Sequence, residues 1–162
     1  MNRLIVVPAS ASITAGTETV IATISGLAFN APSGSTSAQG ILFDGSIDLA
    51  TGTATTSVTF NLRRTSLTGT LVQTQIVTVQ DLNATQSAMT HMFTTMSLFD
   101  LNPPNEQAAV TSGGGALPTA LQTGVNGLPV TGLTYVITAN PTGAAATVNG
   151  GALQATTVNT TP

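Results

Sequence analysis

Apolar and polar residues alternate with a period of two along much of this chain. Ile41, Phe43, Gly45, Ile47 and Leu49 alternate with Leu42, Asp44, Ser46 and Asp48, and Val58, Phe60 and Leu62 alternate with Ser57, Thr59, Asn61 and Arg63. Such a period puts one set of side chains on a buried face of a strand. With Thr51-Gly52-Thr53-Ala54 as a four-residue loop, the two stretches predict a hairpin. In it Ile47 pairs with Val58, Gly45 with Phe60 and Phe43 with Leu62. The apolar residues then share one face and the acids and Arg63 the other, and a slip of one residue would invert them all. Phe60 over Gly45 would fill the gap a strand glycine leaves. The turn Thr65-Ser66-Leu67-Thr68-Gly69 leads into a further strand over residues 70–79.

The same reading extends to both ends. Residues 17–25 predict a strand, and residues 30–40 are a Pro/Gly/Ser loop. Residues 133–138 predict a strand closed by Asn140-Pro141-Thr142-Gly143. Residues 144–148 and 153–158 flank Asn149-Gly150-Gly151, a strong turn signal because these residues tolerate positive φ. Between residues 84 and 99 a helical face of Leu82, Met89, Met92, Phe93 and Met96 competes with strand alternation, and we read a strand. Residues 101–130, with Pro103-Pro104, Gly113-Gly114-Gly115, Pro118 and Pro129, are a long connection of a kind uncommon unless functional. Turn clusters every dozen residues, in a chain whose commonest residue is Thr, predict an all-β sandwich or barrel.

Leu4, Ile5, Val6 and Val7 form an apolar segment isolated by Pro8 and small residues. It predicts an N-terminal arm, residues 1–16, ahead of a single β-sandwich domain, residues 17–162. An exposed strand of this kind is a liability unless it adds to a sheet edge, its own or a neighbour's, so these four residues are candidate inter-subunit contacts. Arg3 before them and Ala9-Ser10-Ala11 after them imitate a secretion signal. Four apolar residues fall short of the ~7–15 such a signal needs, which predicts synthesis and assembly in the cytoplasm.

Composition adds the surface. Only 6% of the 162 residues are charged, Lys is absent, and the net charge is −3. Ordinary soluble domains carry about a quarter charged residues. Three Arg cannot displace many counterions from a phosphate backbone, so nucleic acid is not an expected partner. A surface this neutral predicts burial against other subunits, with a hydroxyl-covered secreted monomer as the alternative. No apolar run reaches the ~18 residues of a membrane span. Cys is absent, which excludes disulfides and thiolate metal sites.

No constellation carries catalytic chemistry. His91 is the only histidine and has no acid beside it in sequence, though Asp81 or Asp100 could meet it in space. A G-x-S-x-G elbow does not occur. Asp44-Gly45-Ser46-Ile47-Asp48 imitates a calcium loop, but on a strand its oxygens stand about 7 Å apart, too spread to wrap one ion. An ion pair of Asp44 with Arg63 on the outer face is expected instead. Gly113-Gly114-Gly115 is followed by no Lys, so it is no phosphate loop. Asn83-Ala84-Thr85 and Asn159-Thr160-Thr161 match a glycosylation pattern that is frequent by chance in a Thr-rich chain. No catalytic residue, cofactor or metal is expected.

Val58-Thr59-Phe60-Asn61-Leu62-Arg63-Arg64 feeding Leu67-Thr68-Gly69-Thr70-Leu71-Val72, with the later Gly132-Leu133-Thr134-Tyr135-Val136-Ile137-Thr138 and Asn149-Gly150-Gly151-Ala152-Leu153, resembles small phage virion proteins. Those proteins have a jelly roll like that of tumour necrosis factor. The resemblance covers about two-thirds of the chain and implies a jelly-roll-type antiparallel β-sandwich. It also implies a capsid decoration or minor capsid subunit, a homotrimer contacting itself and a major capsid or other particle protein, located in the virion, with no enzyme activity. The rival expectation is a subunit of an extracellular filament or adhesin joined by strand donation.

Overall fold

A computed structural model describes residues 2–9, 12–30, 38–52, 54–55, 57–79, 89–100 and 129–160. Nine strands are found among them: β1 (Asn2–Val7), β2 (Ser12–Ile13), β3 (Thr19–Asn30), β4 (Ala38–Thr51), β5 (Ser57–Arg64), β6 (Leu71–Thr78), β7 (Met89–Asp100), β8 (Pro129–Thr142) and β9 (Ala146–Thr160). The predicted long connection lies outside the described residues over 101–128, as do the loop at 31–37, Asp81 and Asn83.

The strands form two sheets. The first has the order β1-β9-β4-β7, with β2 also pairing β9; the second has the order β3-β8-β5-β6. Every pairing is antiparallel. Apart from β1–β2 and the β5–β6 hairpin, consecutive strands alternate between the sheets. A five-stranded and a four-stranded antiparallel sheet connected this way are a jelly-roll sandwich.

The predicted residues 41–63 hairpin is corrected by this topology. β4 pairs with β7 and β9, whereas β5 pairs with β6 and β8, so the two strands lie in opposite sheets. Phe43, Ile47, Leu49, Val58, Phe60 and Leu62 are nonetheless all fully buried. Alternation records which side chains point inward. It does not record whether the facing partner is a neighbour in the sheet or a strand across the core. Gly45 accordingly stands beside Met96 and Leu153 in its sheet and is not paired with Phe60. A Cβ there would stand 2.1 Å from the Ala152 carbonyl oxygen of β9, so glycine permits the close approach of β4 and β9.

The Asn149-Gly150-Gly151 turn is likewise replaced. β9 runs straight through it, and the register with β4 shifts between Asp48↔Gly150 and Leu49↔Val148, leaving Asn149 as the extra residue of a β-bulge. Gly151 lies against β4, where a Cβ would stand 2.5 Å from the Ser46 carbonyl oxygen. The glycines that look like a turn in the sequence are thus a place of close strand packing. The turn at residues 65–69 does form: Arg64 N–H donates to the Thr70 carbonyl at 3.0 Å and Gly69 N–H to that of Ser66 at 2.9 Å.

Between the sheets lies one core, and in it the rings of Phe43 and Tyr135 meet with centroids 5.0 Å apart. Residues 1–16, set apart as an arm by the sequence reading, include β1 and β2, which pair with β9 of the same chain. Ile5, Val7 and Ile13 are buried in the common core.

Candidate interaction surfaces

Because β1 alternates, its four apolar residues divide. Ile5 and Val7 face the core, while Leu4 and Val6 point outward and are 70% and 72% exposed. Leu4 starts a row that continues through Gln154 and Asp44 to Ser97, and Val6 one through Ala152 and Ser46 to Thr95. Between its edges the outer face of the first sheet carries Asp44 and Asp48 of β4 among Ser46, Ala152 and Gln154. At the far edge, on β7, Phe93 is 76% exposed. Asp48 stands opposite Phe93 and accepts from Asn149 Nδ2 at 3.3 Å.

β6 divides its apolar residues, with Leu71 and Val77 at positions in step with Gln73 and Gln75 and Val72 and Ile76 at the alternate ones. Gln73 and Gln75 point in, and Ile76 points out with 63% exposure. The reason lies across the gap between the sheets. Gln75 Nε2 donates to the Thr95 carbonyl at 2.9 Å, and Ser97 N–H donates to Gln75 Oε1 at 2.9 Å. Phe99 N–H donates to Gln73 Oε1. Two side chains of the second sheet thus take up backbone groups on the outer side of β7, the end strand of the first. At the opposite end, Arg3 donates through Nη1 to the Ser25 carbonyl of β3.

Scarce charges are used in two networks. Arg64 on β5 holds Asp100 on β7 by two bonds, Nε to Oδ2 at 2.7 Å and Nη2 to Oδ1 at 2.6 Å. Tyr135 on β8 donates its hydroxyl to Asp100 Oδ2 at 2.8 Å. Burial, reinforced by the Asp100 carboxylate, pushes the Tyr135 hydroxyl well above its usual pKa. For Arg64, burial opposes the charge but the bond to Asp100 outweighs it, so its pKa is raised. In the second network Glu18 accepts from Arg63 Nε at 2.7 Å and Nη2 at 2.9 Å, from Asn61 Nδ2 at 2.9 Å and from the Thr138 hydroxyl. Chiefly through Arg63, and against a smaller effect of burial, the Glu18 carboxyl is lowered to about 2.

These pairings revise the expected chemistry. Arg63 pairs with Glu18, not Asp44, which is exposed on the first sheet. Asp100, a possible partner of His91 in the sequence reading, is committed to Arg64 and Tyr135. Among the described residues no group of three or more His, Cys, Asp or Glu is placed to hold a metal, and no helix is long and apolar enough to cross a membrane. Sequence reasoning missed Tyr135, Glu18, Gln73 and Gln75. One signal was available for the glutamines: two long polar residues at alternate positions in step with Leu71 and Val77. Another was available for Asp100, since in a chain so poor in charge a buried acid needs a cation.

No family model matches the chain, and no curated protein does. Among solved structures it is similar to the crystal structure of an infectious bursal disease virus particle, at 11% identity and a TM-score of 0.46, over 96% of this chain and 30% of that one. It is similar to the VP2 subviral particle of the same virus, at 12% identity and 0.40, over 96% of this chain and 32% of that one. Dimeric latent PorU from Porphyromonas gingivalis follows at 15% identity and 0.39, over 95% and 12%. The chain thus spans about a third or less of the length of these proteins. At such identities and scores they establish neither a family nor a function for it.

Proposed function

We propose that the chain is a structural subunit of a virion, a capsid decoration or minor capsid protein that acts through protein–protein contacts and not as an enzyme. The observation that carries this reading is that large apolar side chains, Leu4, Val6, Ile76 and Phe93, are turned outward and are 63–76% exposed. Surfaces of this kind are poorly protected against association by charge. A homotrimer seated on a major capsid protein would cover them. The bacteriophage setting rests on the resemblance of the strand patterns described above. The filament reading needs the segment Leu4 to Val7 to enter a neighbour's sheet; in this chain it pairs with its own β9.

The test is sedimentation equilibrium of the purified chain, followed by electron cryomicroscopy of native particles. A trimer that binds preformed particles lacking it supports the proposal. A chain that stays monomeric at its highest soluble concentration and adds to no particle overturns it.

A further inference from the structure

The end strands of a sandwich present unpaired N–H and C=O groups that invite another strand. β7 is such a strand: among the described residues it pairs with β4 on one side only. In an antiparallel ladder successive residues direct their backbone groups to opposite sides. The amides of Ser97 and Phe99 and the carbonyl of Thr95 therefore point away from β4. All three meet the amide ends of Gln73 and Gln75. The glutamines imitate a strand, since a primary amide carries the same donor and acceptor as a peptide group.

We propose that Gln73 and Gln75 are an edge guard, occupying the free side of β7 so that no second copy of this chain can add a strand there. Turning Ile76 inward would turn both glutamines out, together with Val77 that packs on the core, and open β7. Ile76 and Phe93 then flank a sealed edge, available for side-chain contact but not for backbone pairing. Of the two end strands of the first sheet, β1 is left as the one where a copy could add by backbone hydrogen bonds. The inference does not depend on the virion reading, since it concerns how any association of this chain is restricted.

Met matches Gln in length without its polar end, so Gln73→Met with Gln75→Met deletes the guard while keeping the stem packing. Amide hydrogen exchange should accelerate roughly tenfold or more at Ser97 and Phe99, while Met96 and Leu98, bonded toward β4, stay protected. Sedimentation should show multimers the natural chain does not form, in which Ser97 and Phe99 regain protection. Gln75→Met alone should expose Ser97 and leave Phe99 as it was, which serves if the double variant does not fold. Val58→Ala, buried in the second sheet, controls for general loss of stability. Unchanged exchange, a double variant that associates no more than the natural chain, or equal association by Val58→Ala would each overturn the proposal. So would failure of both Met variants to fold, since the glutamines would then support the sandwich itself.

Discussion

Arg64 and Asp100 are joined by two hydrogen bonds of 2.7 and 2.6 Å although they belong to opposite sheets, one at the end of β5 and the other at the end of β7. Tyr135, which stands opposite Arg64 in the β5–β8 ladder, completes the link from the second sheet. The Asp100 side chain is only 2% exposed. A charge so far from water is tolerable only while its partners are present.

Removing one member should therefore cost much more than removing all three. Asp100→Ala leaves the Arg64 guanidinium partly buried and unpaired, at a cost of roughly 3–5 kcal/mol. Arg64→Met, Asp100→Leu and Tyr135→Phe combined should be near neutral, because no charge or hydroxyl is then left stranded. Denaturant titration of the natural chain, the single variant and the triple variant checks the order. A triple variant as unstable as the single one would mean that the cluster contributes net stability.

Two phenylalanines test the division between core and surface. Phe60 is fully buried in β5, and its change to Ala should cost roughly 3–5 kcal/mol. Phe93 is outward on β7, and Phe93→Ala should stay within about 0.5 kcal/mol of the natural chain. A loss at Phe60 below about 1 kcal/mol would place it outside the core.

These two residues also mark what was legible in the sequence. Phe43, Ile47, Val58, Phe60 and Leu62 are all inward, as alternation requires, and strands were recognisable at β3, β6, β7 and β8. The placing of β4 and β5 in opposite sheets was not, because the short connection after Thr51 crosses from one sheet to the other, and a loop's length does not state its direction. Gly150 and Gly151 carried a turn signal that packing against β4 overrode. For β6 alternation did not choose a face, since each set of alternate positions carries two apolar residues. The face bearing Gln73 and Gln75 is the one that bonds to β7, which leaves Ile76 exposed. The partner of each charge was invisible for a simpler reason: Glu18 and Arg63 are far apart in sequence and meet only when β3 and β5 flank β8.

The Glu18–Arg63 network sets an acid response. The carboxyl titrates at about 2 in the fold against its ordinary 4.5. A depressed carboxylate contributes stability that is fully present above 4.5 and is lost as the pH falls from there through about 2. Glu18→Gln cannot make this contribution at any pH. The melting temperature of the natural chain should therefore exceed that of Glu18→Gln at pH 6, and the two should converge as the pH is lowered toward 2. A gap that stays constant over that range would show that Arg63 does not act through the charge of Glu18.

The outward residues of β1 offer the sharpest separation between folding and assembly. Leu4 and Val6 contribute no burial within the chain, while Ile5 and Val7 lie in its core, so adjacent positions have opposite expected effects. Leu4→Asn with Val6→Asn should change the free energy of unfolding by no more than about 0.5 kcal/mol. If the outer face of the first sheet is an inter-subunit contact, the same pair should reduce oligomer size in sedimentation or release the protein from its particle. Ile5→Ala should cost roughly 2–5 kcal/mol, and any loss of assembly should then follow the loss of fold. Circular dichroism beside sedimentation distinguishes the cases. If the double Asn variant folds and assembles like the natural chain, Leu4 and Val6 make no contact, and the contact must come from the edge carrying Ile76 and Phe93.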